Sequence, residues 1–260
     1  MPPARAALYA ATLGVLLLSV RAALLEPPSL LVSACLLVAY LSLVFAGVLR
    51  IDLRMFADAL VRGPRSARGI VLTFDDGPDP SSTPAVLDAL QSAGVTATFF
   101  MIAKKAEEHA ELVREIKHRG HQIGLHSYGH DRLFALRSAA HVKRDLEKGI
   151  EVLRKVTGDR PDLFRPPIGH TNPSIARVVE ELDLTVVGWS VSARDGVASA
   201  TANGVLARVR RGLRDGAIVL LHDAAERGGR VPAGVLALPS ILDAVHAAQL
   251  PVVSLSEWLD

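Results

Sequence analysis

The hydrophobic pattern divides this chain into two unlike parts. From Ala6 to Leu25 the only charged residue is Arg21, and from Ser29 to Leu49 there is none. Each run approaches the roughly 20 apolar residues that a helix needs to cross a bilayer. The polar turn Glu26-Pro27-Pro28 separates the two runs. The pattern predicts a transmembrane helical hairpin over residues 1–50.

Two other interpretations of the first part stay open at this point. A cleavable signal peptide would explain the first run, but a second long apolar run directly behind it favours a hairpin that is retained. A buried helical hairpin of a soluble protein is disfavoured, because uncharged runs of this length are rare in soluble folds.

After residue 69, short apolar runs alternate with amphipathic stretches, a pattern typical of parallel strands joined by helical crossovers. Residues that begin and end helices agree with this pattern. Gly94 and Gly120 follow two predicted helices, and Asn172-Pro173 begins another. The pattern predicts an α/β domain with strands at 70–74, 96–102, 121–126, 184–189, 217–222 and 251–254, and helices near 83–93, 104–118, 139–157, 173–182, 201–213 and 235–248.

The amino-acid composition indicates the size of the core and excludes some partners and bonds. Half of the 260 residues are apolar, so one sizeable core is expected. The net charge is +2, and no cluster of lysine and arginine is interleaved with aromatic residues, so no nucleic-acid partner is expected. Cys35 is the only cysteine, which excludes an intrachain disulfide.

The arginines predict an orientation in the membrane. Arg5 precedes the first apolar run, and five arginines follow the second between residues 50 and 68, whereas the turn at residues 26–29 has no positive charge. The positive-inside rule then places both ends of an integral inner-membrane protein, with its catalytic domain, in the cytoplasm. Arg21 could reverse this if the first segment only skims the interface. We interpret residues 51–68 as a basic linker, either solvated or lying on the membrane surface.

The candidate chemistry lies where predicted strands end. Asp75 and Asp76 follow an apolar strand and precede a Gly-Pro turn, which puts two adjacent carboxylates at the edge of a sheet. His126 and His130, four residues apart, follow another apolar run, and this spacing lets both imidazoles face one metal ion. A carboxylate with two histidines leaves coordination positions open, which suits a catalytic metal rather than a structural one.

Five short motifs in order across residues 66–260 carry a resemblance to a known family. The chain resembles the polysaccharide deacetylases, or NodB-homology domains, of carbohydrate esterase family 4. The resemblance implies a distorted (β/α) barrel over residues 69–260. The motifs are Thr73-Phe74-Asp75-Asp76-Gly77-Pro78, His126-Ser127-Tyr128-Gly129-His130, Arg165-Pro166-Pro167-Ile168-Gly169, Trp189-Ser190-Val191-Ser192-Ala193-Arg194-Asp195 and Leu220-Leu221-His222-Asp223.

The resemblance also implies a role for each motif residue. A divalent metal, with zinc expected and cobalt, manganese or nickel also accommodated, would be held by Asp76, His126 and His130. Asp75 would act as the base and His222 as the acid. The remaining roles fall to Arg165, which would keep Asp75 ionised, to Asp195, which would orient His222, and to the backbone N–H of Ile168, which would bind the oxyanion.

Two positions depart from the family's pattern. The family often has an aromatic residue where Ile168 stands and a tryptophan where Gly196 stands, and these aromatics usually wall the sugar groove. The chemistry is therefore expected to be intact on an atypical substrate surface. We interpret Asn172, in the adjoining His170-Thr171-Asn172, as the N-cap of the helix that Pro173 opens.

The expected function is metal-dependent removal of an N-acyl group, foremost N-acetyl, from an amino sugar in a glycan or a lipid-linked glycan. Besides that sugar, the expected partner is membrane lipid, through the hairpin. Two alternatives stay open. One is a deformylase of a lipid-linked amino sugar, and the other is a catalytically silent, membrane-bound glycan-binding protein that kept the scaffold.

Overall fold

The first part of the chain forms two long helices. The structure is a computed structural model that describes residues 1–259. Helix α1 spans Pro3–Leu24 and helix α2 spans Leu30–Leu49, where the side chain of Ser29 caps α2 by accepting from the backbone N–H of Val32. At 1.5 Å per residue the helices are about 33 and 30 Å long, enough to cross a hydrocarbon layer of about 30 Å.

The rest of the chain folds around one parallel sheet with seven strands in the order β5-β4-β3-β2-β1-β7-β6. The alternation of strands and helices is therefore confirmed. The strands are β1 (Ile70–Asp75), β2 (Thr98–Met101), β3 (Gln122–Leu125), β4 (Leu163–Phe164), β5 (Thr185–Val186), β6 (Val191–Ser192) and β7 (Ala217–His222), and the helices are α3 (Thr83–Ser92), α4 (Ala103–Glu108), α5 (Ala110–His118), α6 (Ala139–Thr157), α7 (Pro173–Glu181), α8 (Ala202–Gly212) and α9 (Ala233–Ala247).

The sheet is curled into a split barrel. Its two edge strands, β5 and β6, are consecutive in the chain and joined by residues 187–190 alone. Five peptide steps reach at most about 18 Å, so the two edges must lie near each other. All six residues of β1 are buried, because helices cover the outside of the sheet and side chains fill its inside. Phe74 and Phe99 stack in this core with ring centroids 5.2 Å apart.

Two predicted elements differ from the structure, and two observed strands were not predicted. The predicted strand at 251–254 is reduced to a bridge between Val252 and Ile70. The predicted helix at 104–118 is two helices, α4 and α5, which meet at His109. Strands β4 and β6 have two residues each, too few to produce a hydrophobic period that sequence reading could detect.

Residues 51–68 pack against the barrel. A 3₁₀ turn at Ile51–Leu53 follows α2, and the side chains of Ile51, Met55, Ala57 and Ala59 are buried. Leu60 then pairs with Val187 beside β5, and Arg62 pairs with Ala217 of β7. The segment crosses the split of the barrel, so its apolar residues contact protein rather than solvent.

Two further contacts attach the hairpin to the domain. The guanidinium of Arg5, at the start of α1, donates to Asp58 and to the backbone oxygens of Arg54 and Met55. At the end of α2, the carbonyl of Val48 accepts from the backbone N–H of Thr171 over 3.1 Å. Both ends of the two-helix hairpin therefore contact the domain.

Candidate active site

The site is built at the carboxyl ends of β1 and β7. Strand β1 ends at Asp75, which lies in register with Phe100 on β2 and with His222 on β7. This pairing puts the His222 imidazole beside the two carboxylates although the residues are far apart in sequence. Asp76 then leaves the strand with φ of 75°, and both carboxylates come within 4 Å of Nε2 of His126.

Asp76, His126 and His130 form a compact cluster of buried side chains. Oδ1 of Asp76 lies 3.6 Å from Nε2 of His126 and 3.4 Å from Nε2 of His130. The three candidate ligand atoms all lie within 4.8 Å of one another. Oδ1 of Asp76 is buried without a hydrogen-bond partner, a costly arrangement unless a cation satisfies it. The donor set therefore fits a divalent metal ion.

Groups around the cluster prepare the imidazoles for such an ion. Nδ1 of His126 donates to the backbone oxygen of Arg165 over 2.7 Å, which leaves the Nε2 lone pair facing Asp76. Burial lowers the pKa of the His126 imidazole, against the opposing charge of Asp75, so the ring is neutral and able to coordinate. The backbone N–H of His130 donates to Oγ of Ser127 and fixes the turn that carries His130.

Asp75 is held by a fully buried arginine. Nη1 of Arg165 donates to Oδ1 of Asp75 over 2.7 Å and to Oγ1 of Thr73 over 2.8 Å. Nε and Nη2 donate to the backbone oxygens of Val187 and Gly188, so the guanidinium position is fixed. Burial lowers the pKa of Arg165, while the charge of Asp75 and their hydrogen bond oppose this. The second carboxylate oxygen, Oδ2, lies 3.9 Å from Nε2 of His126.

His222 is oriented by Asp195 from the other side of the site. Nδ1 of His222 donates to Oδ1 of Asp195 over 2.9 Å, and the backbone N–H of His222 donates to Oδ2 over 2.8 Å. Nε2 is left facing Asp76, whose Oδ2 is 3.9 Å away. Burial acts to lower the pKa of His222, but the hydrogen bond and charge of Asp195, with the charges of Asp75 and Asp76, raise it to about 9.

The two positions that depart from the family's pattern have different surroundings. Ile168 stands in a 3₁₀ turn at Pro167–Gly169 with φ of 50°, and its side chain is 44% exposed. A Cβ atom at Gly196 would lie 3.3 Å from the ring of His222, so the glycine leaves that ring partly open to solvent. The structure therefore places seven of the eight predicted residues in one connected cluster, and the exposed Ile168 follows Arg165 by three residues in a turn.

Two further residues, Lys105 and Glu226, contact the site, and a third, Asp223, directly follows His222 in the chain. Nζ of Lys105 donates to the backbone oxygens of Asp76 and Ala225 over 2.8 and 2.7 Å. A carboxylate oxygen of Glu226 lies 3.3 Å from Nδ1 of His130, without hydrogen-bond geometry. Asp223 is buried and accepts from Oγ1 of Thr83, and its burial raises the pKa of its carboxyl group to about 7. Only Asp223 could have been found, because it adjoins His222 in a quoted motif.

Comparison with known proteins identifies the family. Residues 62–187 match the sequence profile of the family described as polysaccharide deacetylase. A peptidoglycan-N-acetylglucosamine deacetylase of Bacillus cereus is 34% identical over 199 residues, which are 75% of this chain and 90% of that protein. The chain belongs to the polysaccharide deacetylase family. The resemblance read from the five motifs is thereby confirmed.

Other relatives share the deacetylase domain. A chitooligosaccharide deacetylase of Azorhizobium caulinodans is 34% identical over 68% of this chain and 88% of that protein. A peptidoglycan-N-acetylglucosamine deacetylase of Listeria monocytogenes is 38% identical over 61% of this chain. The chain spans about a third of the length of that Listeria protein, 33%, so the likeness there covers one domain of a longer molecule.

Two solved structures of the family superpose well on this chain. The Bc1960 peptidoglycan N-acetylglucosamine deacetylase has a TM-score of 0.71 at 30% identity and covers 76% of this chain and 91% of its own. A family 4 acetyl xylan esterase from Clostridium thermocellum, solved with a cobalt ion, has a TM-score of 0.67 at 34% identity and covers 73% and 89%. The curled parallel sheet is therefore the fold of the polysaccharide deacetylase family, as expected.

Proposed function

We propose that the protein is a metal-dependent hydrolase that removes the N-acetyl group of an amino sugar. The proposal rests on one observation: the adjacent carboxylates of Asp75 and Asp76 have different contacts. Asp76 faces two imidazoles with a buried, unpartnered oxygen, while Asp75 is held by Arg165. Nδ1 of His222 is paired with Asp195, and its Nε2 lies 3.9 Å from Oδ2 of Asp76. A ligand set, a base and an acid thus lie next to one another at the carboxyl ends of the strands, as amide hydrolysis requires.

Each step of the reaction is assigned to particular residues of the chain. When bound by Asp76, His126 and His130, a divalent ion would polarise the amide carbonyl and lower the pKa of a water molecule. The free oxygen of Asp75 accepts a proton from the attacking water, while Arg165 holds the other oxygen still. Nε2 of His222 delivers a proton to the amine nitrogen as the amide C–N bond breaks. Acetate and a free amine leave, and one water molecule is consumed.

The oxyanion of this reaction would be bound by the backbone N–H of Ile168. Because a backbone group makes this bond, an isoleucine can replace the aromatic residue that is usual in the family without loss of the donor. We propose zinc as the resident ion, since one carboxylate and two imidazoles suit it, and cobalt, manganese and nickel are also compatible. The sequence places the start of the deacetylase domain at residue 69, but because residues 51–68 pack across the split of the barrel, we propose that the folded unit begins at residue 51.

Metal analysis of purified full-length variants tests the ligand set. We expect Asp76→Ala and His126→Ala to lose bound metal and activity while staying folded, because these side chains lie at the sheet edge and not in the hydrophobic core. His141, an exposed histidine outside the cluster, supplies the matched control His141→Ala, which should keep both. Full metal occupancy in both ligand variants would contradict the assignment.

Product analysis tests the reaction itself. Wild-type protein incubated with N-acetylated chitooligosaccharides should release acetate and leave products lighter by one acetyl group, detected by mass spectrometry. Parallel assays with N-formylated substrate test the deformylase alternative, which predicts faster turnover of the formyl compound. A metal-loaded protein that binds the oligosaccharide without turning over either substrate would favour the silent glycan-binding alternative.

We also propose that α1 and α2 form a transmembrane hairpin in the inner membrane, with the deacetylase domain in the cytoplasm. Both helices are long and apolar enough to cross a bilayer, and most of their large apolar side chains are exposed. The arginines after α2 support the orientation. A reporter fused after the last residue tests it. Alkaline phosphatase activity without fluorescence from a matched cytosolic reporter would reverse the orientation.

A further inference from the structure

The loop that carries Ile168 is fixed to the end of α2. The backbone N–H of Thr171 donates to the carbonyl of Val48, one residue before α2 ends. Ile168 is three residues before Thr171, and three residues span at most about 11 Å. The proposed oxyanion donor therefore lies within about 11 Å of the last turn of α2. If α2 spans the bilayer, as proposed, the site lies close to the headgroups, which occupy roughly 5–8 Å on each side.

The same corner of the domain exposes apolar side chains. The segment Arg132-Leu133-Phe134-Ala135-Leu136-Arg137 begins two residues after the proposed ligand His130. Phe134 is buried, whereas Leu133 is 54% and Leu136 is 78% exposed. Apolar side chains flanked by arginines are typical of segments that lie in a membrane interface. Exposed leucines this close to a span would be shielded from water there.

A second hydrogen bond joins this segment to the loop beside α2. Nδ2 of Asn172 donates to the carbonyl of Ala135 over 2.6 Å, and Asn172 directly follows Thr171. Leu133, Leu136 and Ile168, which we name the membrane rim, are therefore linked through two short contacts to the helix end. The membrane rim lies beside the site, since Ile168 carries the proposed oxyanion donor and Leu133 follows His130 by three residues in the chain.

We propose that the membrane rim docks on the lipid headgroups and that the substrate is an N-acetylated amino sugar carried on a lipid of the same bilayer. The substrate class rests on the proposed function. A saccharide joined to a lipid places its first sugars just outside the headgroups, at the height of this site. A polymer held farther from the membrane would have to reach a cleft whose rim faces the bilayer.

Fluorescence quenching tests the docking independently of activity. Full-length protein carrying Cys35→Ser is labelled with bimane at Leu133→Cys or Leu136→Cys and placed in vesicles of phosphatidylcholine and phosphatidylglycerol that contain a spin-labelled lipid. Leu259 is exposed at the opposite end of the barrel, where residues 251–255 contact the start of β1 and β3. The control label at Leu259→Cys should stay unquenched while both rim labels are quenched. Equal quenching at all three positions, or none at the rim, would overturn the docking.

A comparison of two substrates tests the lipid carrier. The same vesicles are given polyprenyl-diphosphate-linked N-acetylglucosamine in the bilayer, or a soluble N-acetylated chitooligosaccharide in the buffer. Leu133→Ser combined with Leu136→Ser should lower turnover of the lipid-borne sugar about tenfold, which corresponds to ~1.4 kcal/mol, and leave the soluble substrate unchanged. The matched control Leu259→Ser should change neither rate.

The outcomes separate this inference from the proposed function. Wild-type turnover of the soluble substrate without any of the lipid-borne sugar would overturn the lipid carrier and leave the deacetylase proposal standing. An equal loss on both substrates in the double variant would also overturn the inference, because the rim would then serve the site and not the membrane. Turnover of neither substrate by metal-loaded wild-type protein would overturn the deacetylase proposal and the lipid substrate together.

Discussion

At the residue scale, the site depends on backbone conformations that most side chains avoid. Asp76, His130 and Ile168 all have positive φ, of 75°, 52° and 50°. Such conformations cost on the order of 1–3 kcal/mol each and persist only where surrounding contacts hold them. Here the contacts are the bond from Lys105 to the carbonyl of Asp76 and the bond from His130 to Ser127. Of the two adjacent carboxylates, Asp75 is held by Arg165, whereas Asp76, with positive φ, lies nearest to His126 and His130.

Asp75→Asn should keep the metal and lose most turnover. An amide cannot accept the proton of the attacking water, and proton transfer contributes about a hundredfold to ten-thousandfold. The variant also leaves the buried charge of Arg165 without its carboxylate, so thermal unfolding should occur at a lower temperature. Metal content confirms that the tested protein is folded, and Asp75→Glu, which retains the charge, should recover part of the activity. Near-normal turnover of metal-loaded Asp75→Asn would exclude Asp75 as the base.

In Asp195→Asn, the loss of activity at alkaline pH should begin at a lower pH than in the wild type. His222 must be protonated to act as an acid, and Asp195 is the main group that raises its pKa to about 9. Asp195→Asn removes that charge, so activity should fall at lower pH than in the wild type. A bound cation lowers the pKa of His222 in both proteins and leaves the direction of the shift unchanged. Asp88→Asn, a change at an exposed ion pair with Arg119, is the control and should leave the profile in place.

The same shift has a consequence for the stability of the metal-free protein. The pKa of His222 is higher in the folded state than its ordinary value of 6.5. Its stabilising contribution is therefore complete below pH 6.5 and is lost as the pH rises through about 9. Denaturant unfolding across that window should show a steeper loss of stability in the wild type than in Asp195→Asn.

The sequence could propose the eight candidate residues because each lies in a short motif at the end of a strand or in a turn. It missed Lys105 and Glu226, which reach the site from a helix and from a loop after β7. Neither has a local pattern that distinguishes it from a solvated charge. Such supporting residues become visible only when the fold brings their side chains to the site.

At the scale of elements, one residue connects α7 to the segment after His130. Asn172 caps α7 by accepting from the backbone N–H of Ile175 over 2.7 Å, and its amide also donates to Ala135. The predicted cap is confirmed, because an Asn-Pro pair is a strong local signal for the start of a helix. The bond to Ala135 had no such signal, because it joins residues 37 positions apart.

Asn172→Ala should therefore have two effects. Loss of the cap costs about 1–2 kcal/mol, and loss of the bond to Ala135 should loosen residues 132–137. Ser138 caps α6 by accepting from the backbone N–H of His141 and bonds no distant loop, so Ser138→Ala is the matched control. Hydrogen exchange should show weaker protection of residues 132–137 in Asn172→Ala only. Equal protection in both variants would mean that the amide does not hold this segment.

At the scale of the whole molecule, the segment 51–68 is part of the barrel. The alternation of arginine and apolar residues was interpreted as a linker. Sequence alone cannot tell whether such residues face solvent, lipid or another part of the protein. The structure buries Ile51, Met55, Ala57 and Ala59 and pairs Leu60 and Arg62 with strands on both sides of the split. The parallel sheet, by contrast, was predictable, since it follows from long alternating patterns.

Two shortened chains test whether this segment completes the fold. A chain that begins at residue 51 should fold, because it keeps the residues that cross the split. A chain that begins at residue 69 should aggregate or unfold at a much lower temperature, because each buried apolar side chain it lacks contributes roughly 1.5–3 kcal/mol when large. Thermal unfolding of both chains decides this. Equal stability would place the domain boundary at residue 69, as the sequence predicted.

The bond between Thr171 and Val48 also determines how a lipid-borne substrate would meet the enzyme. With the site fixed beside the end of α2, enzyme and substrate would both diffuse in the plane of one membrane. Their rate of encounter would then depend on the number of substrate molecules per unit area of membrane and not on the volume of the sample. Confinement to one membrane raises the effective concentration, as a short linker does for two binding modules. Adding inert lipid at constant amounts of enzyme and substrate would slow the reaction, whereas adding buffer would not.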